Sequence, residues 1–369
     1  MDLSLDENQS AIREAIQGYV RSEVMPYAEA WDGEKSLERS RMQGLAELGM
    51  LGVMVDEAHD GVGLGLLDAA LVLAQVGRGD GGLAVAMANH AAVAAPHIQR
   101  FGDEAQIAAW LPRLATGEAL ASWALAESGG VTCDALETQA TQTTEGWQLN
   151  GAKRLVAGGA LADVFLVVAR VDDGARTFLV PCDTDGLTLS EPAMLGLRAG
   201  GLVDLSLVDV VLPSGAVLNG GWSAASHALD CYRVTLGAIA YGMGARAIEA
   251  AASYALERRQ FGQPIARFQA IQNRLADAEV GVQAGGALVE RAASEYDAGM
   301  GIDGQAAKAY VHATRGAFDA ADHAIQVHGG YGYVREYQVE RMWRDARTLS
   351  AMAGTAATAR DTIAESIYR

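Results

Sequence analysis

Residues 258–265 read Arg258-Arg259-Gln260-Phe261-Gly262-Gln263-Pro264-Ile265, and the chain runs on to Phe268-Gln269-Ala270-Ile271-Gln272. A second block follows, Gln326-Val327-His328-Gly329-Gly330-Tyr331-Gly332-Tyr333, and then Arg344-Asp345. Around these blocks the sequence has helical periodicity. Trp222 to Leu256, Phe268 to Asp297 and Gln305 to His328 are rich in alanine and leucine and contain no proline. Helices of this kind pack antiparallel in a bundle.

Upstream the period changes. Trp147-Gln148-Leu149, Val164 to Ala169, Arg176 to Pro181 and Val203 to Leu212 read as strands, the last alternating like a half-buried one. With Gly/Asp turns between them they predict a small β-barrel or sandwich. The first third is helical again. Ile12, Ile16 and Tyr19 form an amphipathic stripe on Glu7 to Tyr19, with Asp6 as N-cap. Ser36 to Leu48, Leu66 to Val76 and Asp103 to Leu114 show similar spacing. The expected fold is therefore α+β and multidomain. It has a helical domain over 1–120, a β domain over 121–220 and an antiparallel four-helix bundle over 221–369.

The chain has 369 residues, half of them apolar, and a net charge of −18. It is a folded globular protein, and its charge argues against nucleic acid or an anionic membrane as a partner. An anionic ligand would need local cations, backbone amides or helix N-termini to overcome that field. Cys133, Cys182 and Cys231 show no metal-type spacing and read as inert thiols. Met1 to Glu7 is acidic and has no signal-peptide pattern. The apolar run Leu83 to Ile98 is broken by Asn89, His90 and Pro96 and is short for a membrane span. A cytoplasmic location is expected.

The two C-terminal blocks, in register with Leu195-Gly196-Leu197-Arg198 and Phe101-Gly102, resemble the acyl-CoA dehydrogenase family over nearly the whole chain. The helix–sheet–helix order agrees with that resemblance. It implies FAD shared across a subunit interface, with the flavin ring in one subunit and the ADP half gripped by its neighbour. On that basis Arg258, Phe261, Gln326, Gly329 and Gly330 would hold a neighbour's FAD, and Thr355 would contribute to the cofactor site. A guanidinium pairs well with pyrophosphate, an aromatic ring offers a stacking face, and glycine admits close backbone approach. Composition alone reads Arg258 as a solvated helix charge. Leu229-Asp230-Cys231-Tyr232-Arg233 resembles the family's Leu-Asp-x-x-Arg helix and makes Asp230 and Arg233 candidates for binding the thioester. The plain alternative is an i, i+3 surface ion pair.

The sequence departs from the family pattern at the flavin ring and at the base. Ala126-Glu127-Ser128-Gly129-Gly130-Val131-Thr132-Cys133 stands for Thr-Glu-Pro-x-Ala-Gly-Ser-Asp, and Lys153-Arg154-Leu155-Val156-Ala157-Gly158 stands for Lys-x-Trp-Ile-Thr-Asn. The two places where the family carries its catalytic glutamate are Ala353 and Tyr232. An unperturbed phenol titrates near ~10 and makes a poor base at neutral pH. No catalytic residue is therefore assigned. Three functions fit. The first is a base-lacking subunit that works with a catalytic acyl-CoA dehydrogenase subunit. The second is a homo-oligomeric flavoenzyme with a relocated base. The third is a non-catalytic acyl-CoA-binding protein. The resemblance adds a tetramer, an electron-transfer flavoprotein as electron acceptor, and a fatty-acid or steroid side-chain type of acyl group.

Overall fold

The computed structural model describes residues 6–368. The reading of residues 1–5 as free of a signal pattern lies outside them. Seven helices open the chain: α1 (Glu7–Tyr19), α2 (Ala28–Glu34), α3 (Arg39–Glu47), α4 (Leu66–Gly79), α5 (Gly81–Ala88), α6 (Ala95–Phe101) and α7 (Glu104–Ala115). The Asp6 carboxylate accepts from the Gln9 amide at 2.8 Å, and the Gln9 side chain accepts from the Asp6 amide at 3.2 Å. This reciprocal cap fixes where α1 starts. The run Leu83 to Ile98 lies within a single buried helical stretch. A π-turn over Asn89–Ala94 joins α5 to α6. The extra residue in such a turn breaks the regular ladder and re-aims the side chains beside it.

The middle of the chain is one eight-stranded sheet. Its strands are β1 (Ala121–Ala124), β2 (Gln139–Gln142), β3 (Trp147–Val156), β4 (Val164–Val171), β5 (Gly174–Pro181), β6 (Leu187–Ser190), β7 (Val203–Leu212) and β8 (Val217–Leu218). The order is β6-β7-β3-β2-β4-β5-β8, with β1 parallel beside β4. β6 and β8 end the path unpaired with each other, so the sheet is open. β4 explains the continuous apolar run in its sequence. Phe165, Val167 and Ala169 pack into the sheet's own core, while Val164, Leu166 and Val168 join the helical core. A strand buried on both faces has no polar alternation to show.

The last part is α8 (Gly221–Glu257), α9 (Gln269–Asp297), α10 (Asp303–His328), α11 (Val339–Leu349) and α12 (Thr355–Tyr368). A hairpin of β9 (Arg259–Gln260) and β10 (Gln263–Pro264) turns the chain between α8 and α9. The small residues of α8 serve close helix packing. A Cβ on Gly242 would collide with the Ala74 carbonyl oxygen of α4, and one on Gly77 would come within 2.9 Å of the Ile239 carbonyl oxygen. On the other side, Gly285 of α9 faces the Ala313 backbone of α10 in the same way.

Two histidines are buried neutral. His90 meets the Leu114 carbonyl at 3.1 Å and accepts from the Ala121 amide at 3.0 Å. Burial still drives it down to about 4. His97 has no hydrogen-bond partner on either ring nitrogen among the described residues, and burial lowers it to about 3.

Gly242→Ala is expected to lower stability by about 1–3 kcal/mol through overpacking. Gly18→Ala, on α1 with open space around its Cα, is expected to raise it by up to ~1 kcal/mol. Urea unfolding of the two variants checks the pair. For the histidines, the unfolded chain takes up protons below pH ~6.5 that the folded state refuses. Stability therefore falls as pH drops from 7 to 5, by about 2 kcal/mol per histidine. His97→Leu should remove its share of this fall, read from denaturation midpoints between those pH values.

Candidate functional site

A cleft of about 240 Å³ opens between the sheet and the bundle. Its floor is buried: Asn89 from the π-turn, Trp123 from β1, and Leu229 and Tyr232 from α8. Its rim is exposed and carries Ser128, Gly129, Arg154, Ala351 and Thr355. Asn89 holds floor and sheet together. Its amide nitrogen donates to the carbonyls of Trp123 at 3.2 Å and Ala157 at 3.0 Å, and its oxygen accepts from the Trp123 amide at 2.7 Å.

One wall is the segment 126–133, and a buried ion pair shapes it. The Lys153 and Glu127 side chains are 0% and 3% exposed and bonded to each other. Lys153 also donates to the Leu125 carbonyl at 3.2 Å. Glu127 accepts from the amides of Glu137 and Thr138 as well. Burial lowers Lys153 to about 8, against the attraction of Glu127. Burial also pushes the Glu127 carboxyl up, but Lys153 and the hydrogen-bond donors outweigh it and leave it below its ordinary value. The pair is ionised at neutral pH. Glu127 is the one carboxylate among the described residues lining the cleft, and it is fully committed.

The opposite wall is the turn before α12. Ala353, Gly354 and Thr355 all have positive φ, at 49°, 83° and 68°. Two of the three are not glycine, which marks stored strain. The Tyr310 hydroxyl pins the turn by donating to the carbonyls of Met352 at 2.6 Å and Leu349 at 3.2 Å. Val131 packs so closely on Gly354 that a Cβ there would overlap it. On β3, Leu155 sits at φ 54°, and its amide donates to Asp204 at 2.9 Å. This irregularity in the β3–β7 register places Leu155 in the cleft.

Both sequence positions singled out for a base, Ala353 and Tyr232, line this cleft, as do Ala126 and Leu155. Asp230 and Arg233 do not. They lie behind the floor, with the Arg233 guanidinium 3.7 Å from Asp230 and donating to Thr362 at 3.2 Å. Arg233 is only 2% exposed, so the pair is buried and not on the surface. Burial raises Asp230 to about 7, with Arg233 opposing. Sequence reasoning missed Asn89 and Trp123. Neither carries a motif; the π-turn and the β1–β4 pairing bring them to the floor. Trp123 Nε1 and the Tyr232 hydroxyl are buried without a partner, and their rings meet edge-on at 6.3 Å.

The remaining candidates gather elsewhere. Arg258, Gly329 and Gly330 line a shallow groove with Tyr254, His328 and Tyr331. The Arg258 guanidinium lies 5.9 Å from the Tyr331 ring centroid and pairs with no carboxylate among the described residues. A Cβ on Gly329 or Gly330 would meet nothing within 4 Å, so the groove is open to a ligand backbone. Phe261 sits at the tip of the β9–β10 hairpin, 94% exposed at φ 50°, and Gln326 is exposed on the last turn of α10. Thr355 is in the other place, on the cleft rim. A free guanidinium beside bare glycines fits the anionic half of a dinucleotide. The cleft, with two unpaired buried donors in its floor, fits a flat polar ring or an acyl group.

These features define a three-part helical and β protein with a ligand cleft between sheet and bundle. Comparison with known proteins identifies the family. Residues 6–118, 122–210 and 219–368 match the N-terminal, middle and C-terminal domains of acyl-CoA dehydrogenases. A probable acyl-CoA dehydrogenase of Bacillus subtilis is 32% identical, with 100% of each chain covered. The structure of butyryl-CoA dehydrogenase from Megasphaera elsdenii superposes with a TM-score of 0.95 at 28% identity over 100% of both chains. A glutaryl-CoA dehydrogenase from Mycobacterium smegmatis in complex with FADH2 gives 0.94 at 28% identity, covering 98% of this chain and 95% of that one. The chain belongs to the acyl-CoA dehydrogenase family, whose members are flavin-dependent oxidoreductases acting on CH–CH groups. No described helix is long and apolar enough to cross a membrane.

Breaking the Glu127–Lys153 pair is the sharpest structural test of the cleft wall. Lys153→Ala leaves a buried, uncompensated carboxylate and should cost about 3–5 kcal/mol. Glu127→Gln combined with Lys153→Met should recover much of that loss. Denaturant midpoints of the single and double variants check this.

Proposed function

We propose that this chain takes part in FAD-dependent α,β-dehydrogenation of an acyl-CoA thioester as the base-lacking subunit of a heteromeric complex. One observation carries the reading. The cleft has no free carboxylate: Glu127 is tied by Lys153 and two amides, and Ala353 and Tyr232 occupy the places where a base would stand. Tyr232 does not replace it, because burial raises its phenol further above the ordinary range. Losing a positioned base costs about 10²–10⁴-fold in rate.

FAD, when bound, would supply the hydride acceptor for the β-carbon. Thr355 and the cleft walls would face its ring. Arg258, Phe261, Gln326, Gly329 and Gly330 would hold the ADP half of a neighbour's FAD, Arg258 through charge-assisted bonds to pyrophosphate. The exposure of Phe261 supports this role, since a large bare aromatic usually marks a surface that another chain covers. Asp230 and Arg233, expected from sequence to bind the thioester, would instead brace the α8 turn that presents Leu229 and Tyr232. A catalytic dehydrogenase subunit completes the complex, which we take to be a cytoplasmic tetramer passing electrons to an electron-transfer flavoprotein. The open cleft favours a second reading, in which the chain forms homo-oligomers and fills its own flavin site.

The test is the FAD-to-protein ratio after saturation and desalting. The chain alone should retain close to none, and occupancy should rise when it is co-purified with a base-bearing dehydrogenase subunit from the same source. About one FAD per chain in the isolated protein would replace this reading with the homo-oligomeric one.

A further inference from the structure

The floor of the cleft holds two polar atoms that no described residue satisfies. Trp123 Nε1 and the Tyr232 hydroxyl are both buried, and neither has a partner among the described residues. Both residues line the cleft, 4% and 5% exposed. A buried donor left unpaired costs about 1–3 kcal/mol, and of the unpaired buried side chains among the described residues these two line the cleft. The nearest buried polar side chains are committed elsewhere. Asn89 is spent on Trp123 and Ala157, the Tyr310 hydroxyl on Leu349 and Met352, and Ser122 on the Ala157 carbonyl. The cleft is the direction left from which an acceptor can come.

The charge around the floor limits what that acceptor can be. The cations around the cleft each face a carboxylate: Arg154 meets Asp204 at 2.9 Å, Lys153 meets Glu127, and Arg233, behind the floor, lies 3.7 Å from Asp230. Two neutral donors without a free cation suit an uncharged oxygen better than a carboxylate. A CoA ester is bulky and anionic at one end, so that end stays at the rim and the acyl group enters first. Trp123 and Tyr232 also close the floor of the cleft, whose volume is about 240 Å³.

We propose that Trp123 and Tyr232 form an acyl-recognition site that donates hydrogen bonds to an uncharged oxygen, such as a ketone, within the first few carbons of a short acyl chain. The inference rests on the thioester reading of the cleft. It concerns binding only, and so holds for a subunit that does no chemistry itself.

Equilibrium binding to the full-length chain, with and without saturating FAD, tests it. The probes are pentanoyl-CoA, 4-oxopentanoyl-CoA and glutaryl-CoA, which share a five-carbon acyl chain and differ in its polar group. The 4-oxo ester should bind roughly tenfold to hundredfold tighter than pentanoyl-CoA, because it alone carries, beyond the thioester carbonyl that all three share, an uncharged oxygen on the acyl chain that reaches the donors without burying a charge. Trp123→Phe and Tyr232→Phe each keep the ring and remove the donor, and each should erase most of that preference while pentanoyl-CoA affinity holds. Equal affinity for the two esters in the wild type overturns the proposal, as does a preference that survives both substitutions. Tighter binding of glutaryl-CoA overturns the uncharged acceptor. Loss of FAD occupancy in the variants when co-purified with the catalytic subunit, with the ester preference intact, gives the donors to the flavin and overturns the acyl assignment. If none of the three esters binds in either condition, the thioester reading itself fails.

Discussion

The bond between Glu127 and Lys153 is the constraint on which the cleft depends. Two charges buried this deeply are stable only when every lone pair and proton is used. Here that requirement draws β3, the end of β1 and the start of β2 into one knot. The segment 126–133 hangs from that knot as a cleft wall. The same saturation removes the carboxylate from chemistry. An acid held by an ammonium and two amides cannot also collect a proton from a substrate. Structure and lack of reactivity at Glu127 therefore have one cause.

The cleft and the Arg258 groove share no lining residue. The cleft is deep, braced and partly apolar; the groove is shallow, aromatic and open. Their contrast fits a cofactor held at its two ends by different surfaces. The turn at 353–355 takes a left-handed backbone at Ala353 and Thr355 without glycine to favour it. Tyr310 and Val131 hold that shape.

The fold was legible to the extent that its elements repeat a simple period. α1 with its cap, β7, α9 and α10 were readable because one face of each is apolar and the other is not, whereas α8 was readable from its length and its lack of proline, since residues 228–240 are buried on every side. β1, β2, β6 and β8 were not: each is short, and pairing with distant strands makes it a strand. The stretch from Gly81 to Phe101 hid its helicity because it is buried all round and shows no stripe. For the site, Ala353, Tyr232 and Arg258 could be found by motif, since their neighbours in sequence are also their neighbours in space. Asn89 and Trp123 could not, because a π-turn and a parallel strand pairing bring them together from 34 residues apart. The Asp230–Arg233 pair was legible as a pair, but its burial was set by α10 and α12 and left no mark on the local pattern.

The backbone-to-backbone contact of α4 with α8, and of α9 with α10, has a consequence for how such a protein can diversify. Where glycine already faces a carbonyl, the helices cannot come closer, and any side chain added there pushes them apart. The bundle is therefore a fixed frame with few permitted spellings. Variation in what the cleft accepts has to come from the residues that hang on that frame: the strand end at Trp123, the segment 126–133 and the turn of α8 that carries Leu229 and Tyr232. Descendants of this chain would be expected to change ligands by exchanging those few side chains, while the glycines beneath them stay the same.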